Sequence, residues 1–484
     1  MRRLAVALAA LALALPAATA RASSSFIPND PLAPRQWYLT ADHAFDVWPA
    51  PPALSPVLVA VVDSGIDGRH PEFAGRIAVA RSFVGGSPLT DEQGHGTFVA
   101  GEIAAATGNG IGIAGIALSA KLIIAKVVRG DRAIPLHSEA AAIRWAVAEG
   151  ARVINLSLGG LRDPTNSARD TYSPLEARAV AYAVSHGVLV VAAVGNGDQA
   201  PHSPWPYASY PAALPHVLGV SAYAADGSIP PFSNRDAVFD DVVAPGQDML
   251  STLPRRLTAE RPSCPDQGYS DCGPDAFDHA SGTSFSTPQV SAAAALLLAS
   301  DPTLRPDQLS ALLERTADDA NTTNGCRSCA LLRDSLTGWG RLDVANALGA
   351  LAGPLPPADR YETNDDAGSQ AVTVWGQTIR LAATIDYWDD PVDVYRVRAK
   401  ARQRLTLTLR GPGRATTGLS LWKPGTRTIV GSGQAALRGR IAAASGPGAL
   451  KTISYRARIG GWYFVEAKLV SPGFGPYTLS IVKR

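Results

Sequence analysis

Ser281-Gly282-Thr283-Ser284-Phe285-Ser286-Thr287-Pro288-Gln289-Val290 leads into an apolar, alanine-rich run from Ala292 to Ala299. The run reads as a buried helix, which sets Ser284 at or beside a helix N-terminus. Unpaired backbone N–H groups and the positive end of the helix dipole lie there, and both favour developing negative charge. Proline is tolerated in the first turn of a helix, so Pro288 is expected to mark where this one starts. Gly282 and Thr283 are small and leave room for a substrate. A hydroxyl-capped helix start is the plainer reading of such a cluster. Chemistry at Ser284 requires a base and an orienting acid elsewhere in the chain.

A serine hydroxyl is a weak nucleophile until a base takes its proton, and the base needs a third group to fix its tautomer. His95 stands in Gly94-His95-Gly96-Thr97-Phe98-Val99-Ala100-Gly101, where the glycines keep the ring accessible and small residues follow on a helix. Asp63 ends the apolar run Val57 to Val62; a carboxylate there is costly unless paired. Its alternative role is a turn cap in Asp63-Ser64-Gly65. Asn196, in Val194-Gly195-Asn196-Gly197, offers an amide that can donate to an oxyanion together with the Ser284 N–H. A plain Asn-Gly turn is its alternative.

Outward from these residues, short apolar strands alternate with helices. Val57–Val62, Leu122–Val128, Val153–Leu158, Val188–Ala193, Val217–Ala222 and Asp241–Val243 read as strands. Gly96–Ala106, Ser138–Glu149, Pro174–Ser185, the Ser284 helix and Pro306–Arg315 read as helices. The alternation predicts an α/β fold, a mainly parallel sheet with helices on both faces. Asp63, Ser157 and Asn196 fall at strand ends, where such sheets gather functional residues. After Gly353-Pro354-Leu355-Pro356-Pro357 the pattern becomes alternating and turn-punctuated, as in Leu405-Thr406-Leu407-Thr408-Leu409. That predicts a small all-β sandwich. The divisions are a targeting segment (1–22), a lead-in (23–56) that packs through Trp37 and Trp48, an α/β domain (57–352), a linker (353–359) and a β-sandwich (360–484).

Among 484 residues the formal charge is +2, with 46% hydrophobic and 18% charged residues. Near-balance gives no reason to invoke nucleic acid or an anionic membrane. Arg2-Arg3, the run Leu4–Leu15 and the small residues Ala18-Thr19-Ala20 or Ala20-Arg21-Ala22 read as a cleaved export signal, with an uncleaved anchor as the alternative. No later run is long enough to span a membrane. An exported, secreted, monomeric chain is expected. Four cysteines in such a chain favour disulfides; of three pairings, Cys264–Cys272 with Cys326–Cys329 is preferred. A redox Cys-x-x-Cys or a zinc site is the alternative, weakened by the lack of further ligands at zinc spacing.

Asp63-Ser64-Gly65-Ile66-Asp67, Gly94-His95-Gly96-Thr97 and Gly282-Thr283-Ser284 resemble the motifs of the subtilisin-like serine proteases (peptidase S8), in that family's order. Val153 to Gly160 resembles its substrate-binding strand, and Val194-Gly195-Asn196 its oxyanion segment. The resemblance covers roughly residues 57–350. It implies peptide-bond hydrolysis through an acyl-enzyme, with Ser284 attacking, His95 moving the proton, Asp63 orienting His95 and Asn196 holding the oxyanion. Ser157, Leu158 and Gly159 would bind the substrate as an added strand and form one wall of the pocket for the residue before the cut. Val194 and Gly195 would wall the specificity pocket and Ser209 would lie near its floor. No acid occupies the matched positions, so apolar or uncharged side chains are expected there. Catalysis would need no cofactor. A structural calcium is implied at Glu72 and Asn109, although the family's usual Asp is Glu72 here.

Other departures are Phe98 for a frequent second His, Val194 for Ala or Gly, and a long Arg255–Ala280 loop carrying two cysteines. The short lead-in leaves no room for a propeptide, so folding without one is expected. Tyr361-Glu362-Thr363-Asn364-Asp365, Asp393-Val394-Tyr395-Arg396-Val397 and Gly460 to Val465 resemble the bacterial pre-peptidase C-terminal domain, an accessory module. Trp375, Trp388, Trp422 and Trp462 are candidates for a binding face on it, or core. A polypeptide substrate is the expected partner. The competing classes are a silent scaffold that presents the sandwich and an esterase of another serine-hydrolase fold. The esterase is disfavoured because no Gly-x-Ser-x-Gly surrounds Ser284.

Overall fold

The computed structural model describes residues 25–130, 132–260, 276–356, 359–413, 415–429 and 438–484. The export segment, Cys264 and Cys272 lie outside them. The lead-in contains α1 (Trp37–Ala41). It packs through rings, with Phe26 edge-on to Phe45 at 5.6 Å and Trp37 against Tyr223 at 5.8 Å.

The α/β body then follows as β1 (Val57–Asp63), β2 (Ile77–Ser82), α2 (His95–Ala104), β3 (Ala120–Lys126), α3 (Leu136–Ala148) and β4 (Val153–Leu156). Next come α4 (Pro174–Ser185), β5 (Leu189–Ala193), β6 (Val217–Tyr223), β7 (Val242–Pro245), β8 (Met249–Thr252) and α5 (Arg255–Glu260). β9 (Phe277–Ala280), α6 (Thr283–Ser300), α7 (Pro306–Thr316) and α8 (Val344–Ala350) complete it.

Among the described residues β1 to β7 form one sheet in the order β2-β3-β1-β4-β5-β6-β7. Every pair is parallel. Strands buried on both faces read as unbroken apolar runs, and β1, with Val59 to Val62 fully covered, shows it. β3 and β4 flank β1, so the strand order reverses there. A reversal opens a crevice beyond the strand ends, and Asp63, the last residue of β1, stands in it. α2 and α6 cover one face, around Phe98, Val99, Phe285 and Leu296. α3 and α4 cover the other, around Ile143 and Val180.

α6 is apolar all round and buried accordingly; Ser284 and Ser300 are the residues it leaves open. It does not begin at Pro288. It begins at Thr283, and Pro288 sits inside the helix. A proline there removes the N–H that would bond the carbonyl four residues back, that of Ser284. The Ser157 hydroxyl supplies the replacement, donating to the Ser284 carbonyl at 2.7 Å. The edge strand β2, the antiparallel pair β8–β9 and the short helices α1, α5 and α8 also escaped the sequence reading.

The C-terminal region forms β10 (Val372–Val374), β11 (Thr378–Asp386), β12 (Val392–Ala399), β13 (Arg404–Arg410) and β14 (Thr417–Trp422). β15 (Arg440–Ala444), β16 (Leu450–Arg456), β17 (Gly461–Leu469) and β18 (Phe474–Lys483) follow. The orders are β10-β12-β17-β14-β15 and β11-β18-β13-β16. Leu405, Leu407 and Leu409 point inward from β13 while its threonines face out, and they share a core with Tyr395, Val465 and Leu479. Trp422 is core, whereas Trp375 is 69% exposed and meets Trp462 edge-on at 5.2 Å. Cys326 and Cys329 form a disulfide. No helix of the described residues is long and apolar enough to cross a membrane.

Candidate active site

His95 is the first residue of α2, and Gly94 before it has a φ of 91°. Asp91 fixes this turn. One of its oxygens accepts from Ser64 Oγ, Gln93 N and Gly94 N; the other accepts from Thr97 N and Thr97 Oγ1. Ser64 Oγ in turn accepts from Gly96 N at 2.9 Å. Asp91 escaped the sequence reading. Its one signal was an acidic residue just ahead of the helix start, although the capping position itself is Gly94.

The His95 ring is delivered against Asp63, with Nδ1 2.9 Å from both carboxylate oxygens. Asp63 also accepts from Ser64 N at 2.6 Å. The approach requires Gly96, because a Cβ there would lie 2.3 Å from the Gly65 carbonyl and 3.1 Å from Asp63 Cβ. Burial pushes the His95 pKa down, but the charge and hydrogen bond of Asp63, with Asp91 behind it, outweigh that and leave it raised. With Nδ1–H committed to Asp63, Nε2 is the nitrogen left for a proton from elsewhere.

Ser284 stands in the first turn of α6, half-buried beside this pair. The ring of Phe285 lies 5.4 Å from that of His95 and 4.5 Å from Phe98. Phe98 is thus a packing residue behind the site. Ser284 Oγ donates to the Ser157 carbonyl at 3.3 Å; among the described residues no hydrogen bond joins it to His95. Ser157 is held by Asn155, whose Nδ2 donates to Ser157 Oγ at 2.9 Å while its oxygen accepts from Ser291.

Asn196 sits across from Ser284. Its side-chain oxygen accepts from Thr283 N and Thr283 Oγ1, each at 2.9 Å. That commits the oxygen as an acceptor and leaves Nδ2 as the amide's donor. Ser284, Asn196, Leu158, Gly159, Gly195 and Ser209 share one cavity of about 180 Å³. Two expected lining residues lie elsewhere. Val194 is fully buried in the core under α3 and α4, and its carbonyl accepts from Asn234 Nδ2. Ser157 works behind Ser284. Gly195 has a φ of +96°, and a Cβ on it would come within 2.4 Å of Ser209 Oγ. The cavity also has an acid, Asp198, at its exposed rim, with a carboxyl pKa raised by partial burial. Asp198 is not one of the positions matched from the sequence, none of which carries an acid.

Glu72 and Asn109 do meet, but as donor and acceptor. Asn109 Nδ2 donates to Glu72 at 3.0 Å, Ile113 N donates to its other oxygen at 2.8 Å, and Asn109 Oδ1 accepts from Ile111 N. Asp30 accepts from Gly108 N, Asn109 N and Gly110 N of the same loop. A calcium needs a shell of free oxygens. Here the carboxylates are filled by N–H groups, so the two residues do not fit the ion.

Residues 55–340 match the family described as the Subtilase family. The chain belongs to the subtilases. It is 35% identical to fervidolysin of Fervidobacterium pennivorans over 327 residues, 62% of this chain and 41% of fervidolysin. It is 38% identical to subtilisin BL of Lederbergia lenta over 271 residues, 56% of this chain and 86% of that protein. The cell wall-associated protease of Bacillus subtilis (strain 168) is 35% identical over 55% of this chain, which spans 26% of that relative. The chain therefore spans less than half of two of these relatives. Among solved structures, a protease from Pseudoalteromonas arctica superposes with a TM-score of 0.53 at 27% identity, over 67% of this chain and 99% of that one. As a subtilase the chain has the family's mainly parallel sheet between helices, followed here by mainly antiparallel sheets.

Proposed function

We propose that this subtilase is a secreted serine endopeptidase. The observation that carries the reading is the clamp of Asp63 on His95 Nδ1, set beside Ser284 at the N-terminal turn of α6. Ser284 Oγ gives its proton to His95 Nε2 and attacks the scissile carbonyl. His95 then passes that proton to the leaving amine, and water repeats the sequence on the acyl-enzyme. Asp63 stabilises the imidazolium that forms between the steps. Asn196 Nδ2 and the Ser284 N–H receive the oxyanion, reinforced by the dipole of α6. Substrate backbone pairs with the segment from Ser157 to Gly159, and the side chain before the cut enters the cavity at Gly195 and Ser209.

In this reading Asp198 gives the rim of an otherwise uncharged pocket one negative charge. Residues 57–352 are the catalytic body, 353–359 the linker, and 360–484 an accessory sandwich of the pre-peptidase C-terminal type without a catalytic role. The protein acts on polypeptides as a monomer and uses no catalytic cofactor.

A fluorophosphonate probe tests the nucleophile. Labelling of the wild type that maps to Ser284 and disappears in Ser284→Ala supports the reading. A well-folded wild type that takes no label would instead make the chain a silent scaffold presenting its sandwich.

A further inference from the structure

The formal charge of +2 hides a division within the chain. From Val394 to Arg484 the sequence carries 17 Lys and Arg and one acid, Glu466, whereas the residues before Val394 carry 27 Lys and Arg and 41 acids. Glu466 is buried and accepts from Trp422 Nε1 at 2.9 Å, so it is no counter-ion for the surface. The overall balance therefore says nothing of the sandwich.

The fold gathers many of these cations at one end of it. Arg402 N donates to the Ala457 carbonyl at 2.7 Å, Lys483 N to that of Gln377 at 2.8 Å and Arg404 N to that of Arg484 at 2.6 Å. These bonds tie the β10–β11, β12–β13 and β16–β17 turns to the last residues of β18. Lys400, Arg402, Arg458 and Arg484 are exposed there. Arg404 and Arg456 stand opposite each other in the β13–β16 register, where like charges repel. Among the described residues none of these cations forms an ion pair.

The same turns carry apolar side chains into solvent. Trp375, between β10 and β11, is 69% exposed, and Ile459, between β16 and β17, is 56% exposed. Trp462 lies edge-on to Trp375 at 5.2 Å, with Arg396 over its ring at 5.5 Å. The sandwich meets the α/β body at its opposite end, where Tyr387 packs on Trp339 at 5.4 Å. β12 separates the two ends by about 23 Å, at about 3.3 Å per residue.

We propose that the basic end of the sandwich docks the protein on an anionic lipid surface. Trp375 and Ile459 enter the headgroup region, where tryptophan is favoured, and the Lys and Arg around them meet the lipid phosphates. A single-stranded nucleic acid would use open ring faces for stacking. Here Arg396 covers the ring of Trp462, and Ile459 has no such face.

The test is sedimentation of the full chain with phosphatidylcholine vesicles, with and without phosphatidylglycerol. Binding is expected only with the anionic lipid and should fall as salt screens it. Replacing three cations together, by Lys400→Gln, Arg402→Gln and Arg458→Gln, should weaken it by on the order of 100-fold. Trp375→Ser combined with Ile459→Ser should weaken it by about tenfold. Unchanged melting temperatures serve as the fold control for both variants. Absence of binding to the anionic vesicles would overturn the proposal, as would equal binding to neutral ones. Undiminished binding by the Trp375 and Ile459 variant would do the same, since a bare cationic surface would then suffice. So would capture by an acidic polysaccharide or single-stranded DNA without vesicle binding.

Discussion

Thr283 donates twice to the side-chain oxygen of Asn196, from its backbone N and from Oγ1, each at 2.9 Å. The residue before the candidate nucleophile thereby aims the amide of the candidate oxyanion donor. Binding of a ground-state carbonyl needs little from that amide, whereas the tetrahedral oxyanion needs it fully. Asn196→Ala is expected to lower kcat by about 10²–10³-fold, the cost known for such a donor in a serine protease of this family, with little change in KM. Thr283→Val, which keeps the shape and removes one donor, should give a smaller loss of the same kind. Steady-state kinetics on one peptide substrate checks both.

The contact between Asp63 and His95 fixes the pH dependence. His95 must be neutral to accept the Ser284 proton, and its pKa is raised above the ordinary histidine value. The acid limb of kcat/KM should therefore fall at a pH above that of an isolated imidazole. Asp63→Asn removes the charge that raises the pKa, so the limb should move to lower pH. The same change should cut kcat by about 10⁴-fold through loss of the tautomer and of the imidazolium's partner. A pH-rate profile of the two proteins separates the effects.

Pro288 and Ser157 are coupled through one carbonyl. Pro288 leaves the Ser284 carbonyl without its helical donor, and Ser157 Oγ supplies one at 2.7 Å. Ser157→Ala should cost about 1–3 kcal/mol by leaving a buried acceptor unpaired. In a Pro288→Ala background the helix provides its own N–H, and the loss should shrink. Denaturant melts of the double-mutant cycle report the coupling. Equal losses in both backgrounds would sever the link.

This pair also shows where the sequence was silent. A proline in mid-helix looked like a helix start because the compensating donor lies 127 residues from the carbonyl it serves. The motif residues Asp63, His95, Ser284 and Asn196 were legible because each pairs a special residue with glycines that only a close approach requires, as at Gly96. Most strands were legible as apolar runs. β2 was not, since as an edge strand it is only half-buried and lacks a clean alternation. β8 and β9 were not, because they pair across a long intervening segment. Val194 was misplaced because in a strand-end segment adjacent residues face opposite ways, and Gly195 took the cavity side.

Glu102 of α2 and Asp42 after α1 are both fully buried, and none of their four carboxylate oxygens has a hydrogen-bond partner. Burial, reinforced for Glu102 by Asp42 and for Asp42 by Asp343, pushes both carboxyls well above their usual range. The folded state therefore holds protons that the unfolded chain releases at ordinary carboxyl pKa values. Their contribution to stability is complete below that range and is lost as pH rises through the raised values. Melting temperature should decline across this interval, and Glu102→Gln, neutral at every pH, should flatten the decline. A thermal-melt series across pH checks it.

The Asp30 and Glu72 carboxylates already gather the N–H groups of the 108–113 loop. Glu72→Gln should thus loosen this loop with or without calcium, read as faster amide exchange at Asn109 and Ile113. Calcium-dependent protection confined to these amides would contradict the arrangement.

The most direct measurement of the central claim is the initial rate of cleavage of an internally quenched peptide by the purified wild type, Ser284→Ala, His95→Ala and Asn196→Ala. Cleavage at an internal bond by the wild type is expected. Loss should be of similar size in the Ser284 and His95 variants, since residues acting as one unit do not add, and smaller in the Asn196 variant. Undiminished cleavage by a folded Ser284→Ala protein, or no cleavage by a folded wild type, would contradict the account.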